Sequence, residues 1–333
     1  MQAVFFLGFL CKRRSKEKIK KKTSIRKNRN PSRARAPLRL KSKIRTKKNC
    51  FLILLFSGFS KLTTNSEFKQ ATNQGLPEMS ATDPILPSDD DETRRKKLKP
   101  KCNIDDVANL LSSSSLSLLQ TASIEKELES YDDQNYLIRS TDTNKRYVLK
   151  IHNGVESDDD SLLEFQNGIM AHLTKHGITT TNPIEQTKNK FVRNETLPVA
   201  CGKYTLAIRV LEYVEGVPMA YSNLTANTML ESGKFLGRVV TTLNSYQHES
   251  AKREHAWDSR QTSKLRPYIK YIQTEARQKL ITSVIERFEN EVAVDSANFP
   301  WGVLQADFND ANIIMDTKGG IAGVIDFGDS VYR

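Results

Sequence analysis

Three oxygen-bearing side chains near the end of this chain stand at a spacing suited to moving a phosphoryl group. Asp307 and Asn312 lie in Asp307-Phe-Asn-Asp-Ala-Asn312, and Asp326 lies in Val324-Ile-Asp-Phe-Gly-Asp329. Such a transfer needs one carboxylate to accept the proton of the attacking hydroxyl, with an amide and a second carboxylate to hold metal ions against the donor's phosphates. The D-x-x-x-x-N interval lets one loop present the base, Asp307, while the strand start that follows presents a metal ligand, Asn312. Residues 313–315 and 321–325, joined by a turn at 317–320, read as a hairpin that returns Asp326 to the same point. A hairpin whose Asp and Asn only cap turns is the plainer reading. The ordered set of three is more specific than any two of them, and its hard oxygens suit Mg2+.

The rest of such a site must bind the donor, GTP or ATP. Lys150 ends an apolar run at 147–151 and is expected to meet the α- and β-phosphates, with Glu164 on the next helix as its partner. Residues 129–135 take the place of a phosphate-covering loop but contain no glycine. Ser130, Gln134 and Asn135 are the candidates there, since small and Asx-type residues still present backbone N–H groups to phosphate. Glu212 and Tyr213 follow an apolar strand, where an interlobe hinge would meet the nucleotide base. Asp310 and Asp329, close to the catalytic loop, could pair with an ammonium group on the acceptor.

These side chains need a scaffold, and the apolar periodicity supplies one. A helix is expected over 104–119, strands at 136–138 and 147–151, and a helix over 161–176 closed by Gly177. A strand follows at 205–213, then long helices over 231–246 and 265–289, then the late hairpin. That order is α+β and two-lobed, of protein-kinase-like type. Residues 103–213 form the expected β-rich N-lobe and 214–333 a mainly helical C-lobe, with 1–102 a basic, disordered extension and linker.

Composition agrees with one sizeable domain, since 38% of the 333 residues are hydrophobic. The net charge of +12 suggests nucleic acid at first sight, but residues 1–50 alone hold 19 Lys/Arg against one acid, Glu17, leaving 32 basic and 38 acidic residues elsewhere. Basic character belongs to the tail, so no nucleic-acid partner is expected of the domain. The apolar patches at 3–10 and 51–59 are too short to span a membrane, and in the first the charges follow the apolar run rather than precede it, against a secretion signal. A transit sequence, or translation starting at Met79, are alternative readings of the tail. The four cysteines form no metal-type spacing and fit reduced thiols in the cytoplasm. Monomeric behaviour is expected.

Taken together, residues 128–135, 147–150 and 166–170, the Arg209-Val-Leu-Glu-Tyr213 and Trp257-Asp258 segments, and the stretch from Asp307 through Asp329 resemble the hydroxylysine kinases of the aminoglycoside phosphotransferase superfamily. The resemblance covers about 103–333. It implies transfer of the γ-phosphate of GTP to the side-chain hydroxyl of 5-hydroxy-L-lysine in the cytoplasm, and adds Trp257 and Asp258 as substrate candidates. Two departures stand out. Gln305 occupies the place of the superfamily's loop-bracing His, where an amide could hydrogen-bond similarly. Relatives also continue past the metal-binding Asp with further helices, so an incomplete C-lobe is expected at Arg333. A catalytically silent binder of nucleotide or amino acid, and a kinase for choline or homoserine, are the competing readings.

Overall fold

The computed structural model describes residues 83–255 and 258–333. They fall into two compact units, one holding the described residues up to Asp258 together with Phe299–Arg333, the other holding Ser259–Asn298.

The larger unit begins with α1, Asp91–Lys97, capped by the Asp90 side chain, which accepts from the Thr93 N–H. Acids fill its first turn and bases its last, as the helix dipole favours. A solvated linker over 83–102 is therefore not what forms. Leu98 and Lys97 are both buried, and the Lys97 ammonium donates to the Asp89 carboxylate at 2.9 Å and the Pro84 carbonyl at 2.8 Å. Four consecutive basic residues look solvated in sequence; helical geometry sends Lys96 outward while Lys97 turns in.

Next come α2, Ile104–Ser112, with a capping box between Asn103 and Asp106, and the short α3, Ser117–Gln120. One continuous helix over 104–119 does not form. The serine run between them bonds its own backbone, as where the Ser114 hydroxyl accepts from the Leu116 N–H, and so competes with helix.

Five antiparallel strands follow: β1 (Ala122–Leu128), β2 (Gln134–Ser140), β3 (Arg146–Ile151), β4 (Arg193–Val199) and β5 (Gly202–Glu212), in spatial order β1-β2-β3-β5-β4. Both edge strands escaped the periodicity reading because they bury little and carry many polar residues. On one face Tyr136, Ile138, Leu149, Ile151 and Ile208 pack against Leu98, Val107, Leu111 and Leu119. Strand alternation sends Lys150 and Arg209 to the opposite face.

Between β3 and β4 lie α4 (Gly154–Ser157) and α5 (Asp160–Lys175), the latter ended by Gly177 at φ +72°. The second core joins α5 to α6, Ala226–Leu243, and to the C-terminal strands, through Phe165, Ile169, Leu173, Val239, Val324 and Phe327. β6 (Val217–Pro218) pairs with β8 (Ile313–Met315), β8 with β9 (Ile321–Val324), and β7 (Val303–Leu304) with β10 (Val331–Tyr332). The Val324 N–H donates to the Thr179 carbonyl at 3.1 Å, tying the hairpin to the loop after α5.

In the smaller unit the expected helix over 265–289 is broken. A 3₁₀ run, Ser259–Tyr271, contains Pro267, whose missing N–H cannot serve an α-helix interior, and an α-helix, α7, resumes only at Glu275–Arg287. Among the described residues no helix is long and apolar enough to cross a membrane.

Because Leu98 is fully buried beneath the sheet, Leu98→Ala is expected to cost about 2–5 kcal/mol of stability. Chemical unfolding of the full chain measures this, and an unchanged midpoint would return 91–102 to the status of a linker.

Candidate active site

The loop from Gln305 to Asn312 is held together by side-chain amides. Asp307 accepts from the Asn309 amide at 2.8 Å on one carboxylate oxygen and from the Asn312 amide at 2.7 Å on the other. Gln305 sits behind it, accepting from the Asp307 N–H at 2.9 Å while donating to the Asp326 carbonyl at 2.5 Å. One amide thus joins the two segments, as a bracing residue at this position must. Ala306 and Asp326 both adopt left-handed backbone, at φ +65° and +61°, strain of the kind that persists where surrounding bonds over-determine it. Burial, with help from the charges of Asp329 and Asp326, raises the Asp307 carboxyl to about 6. A carboxylate with that affinity is well placed to take a proton near neutral pH.

Asp326 also contributes to the field at Lys150, 176 positions earlier in the chain. Burial opposes the Lys150 ammonium, but Asp133, Asp326 and Glu156 outweigh it and hold the group above its ordinary range. The direct partner is Asp133 in the β1–β2 turn, which ion-pairs with the Lys150 Nζ. Glu164 is not that partner. It lies on the exposed face of α5, one residue from Phe165, whose side chain takes the inward position. Gln134 is also reassigned: it shares the Tyr136 face of β2, away from Lys150, and its amide bonds both the N–H and the carbonyl of Cys102. Asn135 lies opposite Lys150 on β3, and its buried Oδ1 has no hydrogen-bond partner among the described residues. Ser130 is half-buried in the turn.

Around Lys150 lies a polar network that the sequence reading missed. Arg209, buried on β5, donates from Nε to His152 Nε2 at 2.9 Å and from its two terminal nitrogens to Asn167 and Gln166 at 2.7 and 2.6 Å. With its Nε2 accepting, His152 must carry its proton on Nδ1 and donate it to Glu156, at 3.2 Å. Burial and the Arg209 charge hold His152 below its ordinary value, in the neutral form this requires. Asp133, His152 and Glu156 come close enough together to hold a metal ion. The cations Lys150 and Arg95 already pair with the carboxylates there, and the Arg209 bond to His152 Nε2 puts the imidazole proton on the Nδ1 that faces them, so the cluster's chemistry does not fit one.

Asn312 and Asp326 fit a hard cation better. Asn312 commits its amide nitrogen to Asp307, so only its oxygen end could meet a cation, and Asp326 is exposed. Glu212 and Tyr213 line a cavity of about 560 Å³ with Thr180, Asn182 and Val214; its lining includes neither Lys150 nor the catalytic loop. There Glu212 accepts from the Asn182 amide at 2.8 Å, and Arg146 lies over the Tyr213 ring. Asp310 is half-buried beside the loop. Asp329 is shared with His255 at 3.2 Å; burial would raise its carboxyl, but the hydrogen bond and charge of His255, with Arg253, hold it down. Asp258 is withdrawn as a substrate contact, because its carboxylate is fully buried against Arg333 at 3.3 Å. Trp257 lies outside the described residues.

This five-stranded sheet, with its helix and its paired Asp-bearing loops, is the two-lobed, kinase-like arrangement. Residues 125–333 match the phosphotransferase enzyme family, and the chain belongs to it. It is similar to curated hydroxylysine kinases, at 27% identity to that of Xenopus laevis over 62% of this chain and 60% of the relative, and at 25% identity to that of Mus musculus over 62% and 59%. The chain thus spans about three-fifths of those relatives. A microcompartment-associated aminopropanol kinase shares the fold at TM-score 0.50 and 14% identity, over 69% of this chain and 70% of that one.

If Asp307 is a base with an affinity of about 6, kcat/KM for phosphoryl transfer rises through that pH and levels above it, where the carboxylate is free to accept a proton. Asp329→Asn removes a charge that opposes ionisation and should move this limb to lower pH. A pH–rate profile of both proteins checks it; an unmoved limb would show that another group titrates.

Gln305→Ala should lower kcat by about tenfold, since two hydrogen bonds at about 0.5–1.5 kcal/mol each are lost. Steady-state kinetics decide, and a wild-type kcat would remove Gln305 from the brace.

Proposed function

We propose that this chain carries the phosphoryl-transfer core of a small-molecule kinase, with Mg2+ and GTP or ATP, acting on the side-chain hydroxyl of an amino acid, foremost 5-hydroxy-L-lysine. The observation that carries this reading is the Asp307 carboxylate, raised to about 6 and held by Asn309 and Asn312 on a loop that Gln305 ties to Asp326.

In this reading Asp307 accepts the proton as the acceptor oxygen attacks, and Lys150 meets the donor's phosphates. The Asn312 oxygen and the Asp326 carboxylate would hold Mg2+, which neutralises charge developing on those phosphates. Asp310, and Asp329 with His255 beside it, would face an ammonium group on the acceptor, which favours a cationic amino acid. Likeness to the hydroxylysine kinases supports that acceptor, and GTP rests on the same likeness. Two described cysteines, Cys102 and Cys201, are free thiols, which agrees with a reducing compartment such as the cytoplasm.

A turnover screen pairing each nucleotide with hydroxylysine, choline, homoserine and an aminoglycoside should give hydroxylysine with GTP the highest kcat/KM. Asp307→Asn should lose about 10²–10⁴-fold in kcat while keeping nucleotide affinity. A higher kcat/KM on choline or an aminoglycoside overturns the acceptor, and nucleotide binding without any turnover would make the chain a silent binder.

A further inference from the structure

The Lys150 side of the site is clamped from outside the region that matches the family. Residues 125–333 match, yet α1 and the residues just after it touch the glycine-free β1–β2 turn at several points. Arg95 Nη1 donates to the Asp132 carboxylate at 3.1 Å and to that of Glu156 at 3.5 Å, while its Nε holds Asp91 at 3.0 Å. Lys99 donates its ammonium to the Tyr131 carbonyl. Asn153 bridges the two segments, its side-chain amide donating to the Arg95 carbonyl at 2.8 Å and to the Asp132 carbonyl at 3.5 Å, and its backbone N–H donating to Asp133 at 2.8 Å. Asp133 is the residue that pairs with Lys150.

We propose that Arg95 is a positioning residue for nucleotide binding, acting through Asp132 and Glu156 on Asp133 and Lys150. The inference rests on the kinase reading. The physical case is one of charge and order. Asp133 and Glu156 are largely withdrawn from water near the Lys150 ammonium, with Asp132 next to them, and without a second cation these carboxylates would draw Lys150 away from an incoming phosphate and repel that phosphate as well. A loop with glycines can close over phosphates by its own flexibility; this turn has none and is held in place by the helix beside it. Preformed geometry spares the ordering cost that binding would otherwise carry. An Arg is suited to the task because its planar fork reaches three carboxylates at once, which a lysine cannot match.

The test uses the full chain as wild type, Arg95→Met, Arg95→Lys, Asp132→Asn and the Arg95→Met/Asp132→Asn double variant. Affinity for Mg·GTP and Mg·ATP is titrated directly, and kcat and both KM values are measured alongside a thermal melt. Arg95→Met should weaken nucleotide binding about tenfold or more, while kcat at saturating nucleotide and the acceptor KM stay within about twofold. Arg95→Lys should recover part of the loss. Asp132→Asn loosens the turn but also removes a negative charge, so its loss should be smaller than that of Arg95→Met, with the double variant no worse than Arg95→Met, as expected of residues on one path. Should Arg95→Met not fold, Arg95→Lys and Asp132→Asn carry the same comparison, since Asp132→Asn leaves Arg95 its other two carboxylates. Wild-type nucleotide affinity in the folded variants, including a lowered melting temperature with nucleotide KM unchanged, overturns the proposal. If the wild type binds neither nucleotide, the kinase reading fails and this one with it.

Discussion

Keeping a lysine charged in a nearly dry interior is the constraint on which this structure turns. Lys150 sits on a sheet face closed in by the second core, where an ammonium is stable only if carboxylates meet it. Asp133 supplies the contact and Glu156 adds to the field, but two carboxylates with one ammonium leave an excess of negative charge. Arg95 balances it from one side. On the other side lies Arg209, which reaches no carboxylate directly and spends its donors on His152, Asn167 and Gln166. Burial pulls its affinity for the proton down to about 10, which still leaves it charged near neutral pH.

Such a network stands or falls as a unit. Removing one partner from a buried charge leaves the desolvation penalty in place without its compensation, so each member specifies the positions of the others. His152 illustrates this: the Arg209 Nε–H fixes which imidazole nitrogen accepts, which fixes the one that donates, which in turn holds Glu156. The network spans α1, the β1–β2 turn, β3, α4, α5 and β5, so its members on all of these elements bear on Lys150.

On the loop from Gln305 to Asn312 the same logic runs through neutral amides. Burial keeps the proton affinity of Asp307 high even though the Asn309 and Asn312 bonds lower it, and Gln305, Asn309 and Asn312 place no positive charge beside it. An arginine or lysine in any of those three places would pull it down. At Asp326 the backbone is left-handed and its carbonyl is anchored by Gln305, which turns the carboxylate outward to solvent.

The loop interval of Asp307 and Asn312, the hairpin that returns Asp326 and the strand that carries Lys150 were legible in the chain because each is a short local pattern that depends only on neighbours. The central strands, the hairpin and α5 were legible for the same reason, since alternation and 3.6-residue periodicity are local signals. Contacts between segments far apart in sequence were not. Glu164 has the right type on the right helix but points to solvent, Gln134 lies one strand position from the functional face, and Asp258 looks available until Arg333 covers it. Arg95 read as one base in a solvated run until α1 formed and laid it against Asp132 and Glu156. The residue types and spacings of this chain determined which family it belongs to; which carboxylate meets Lys150 was decided by tertiary packing alone, because a buried charge takes its partner from whichever element the fold brings within reach.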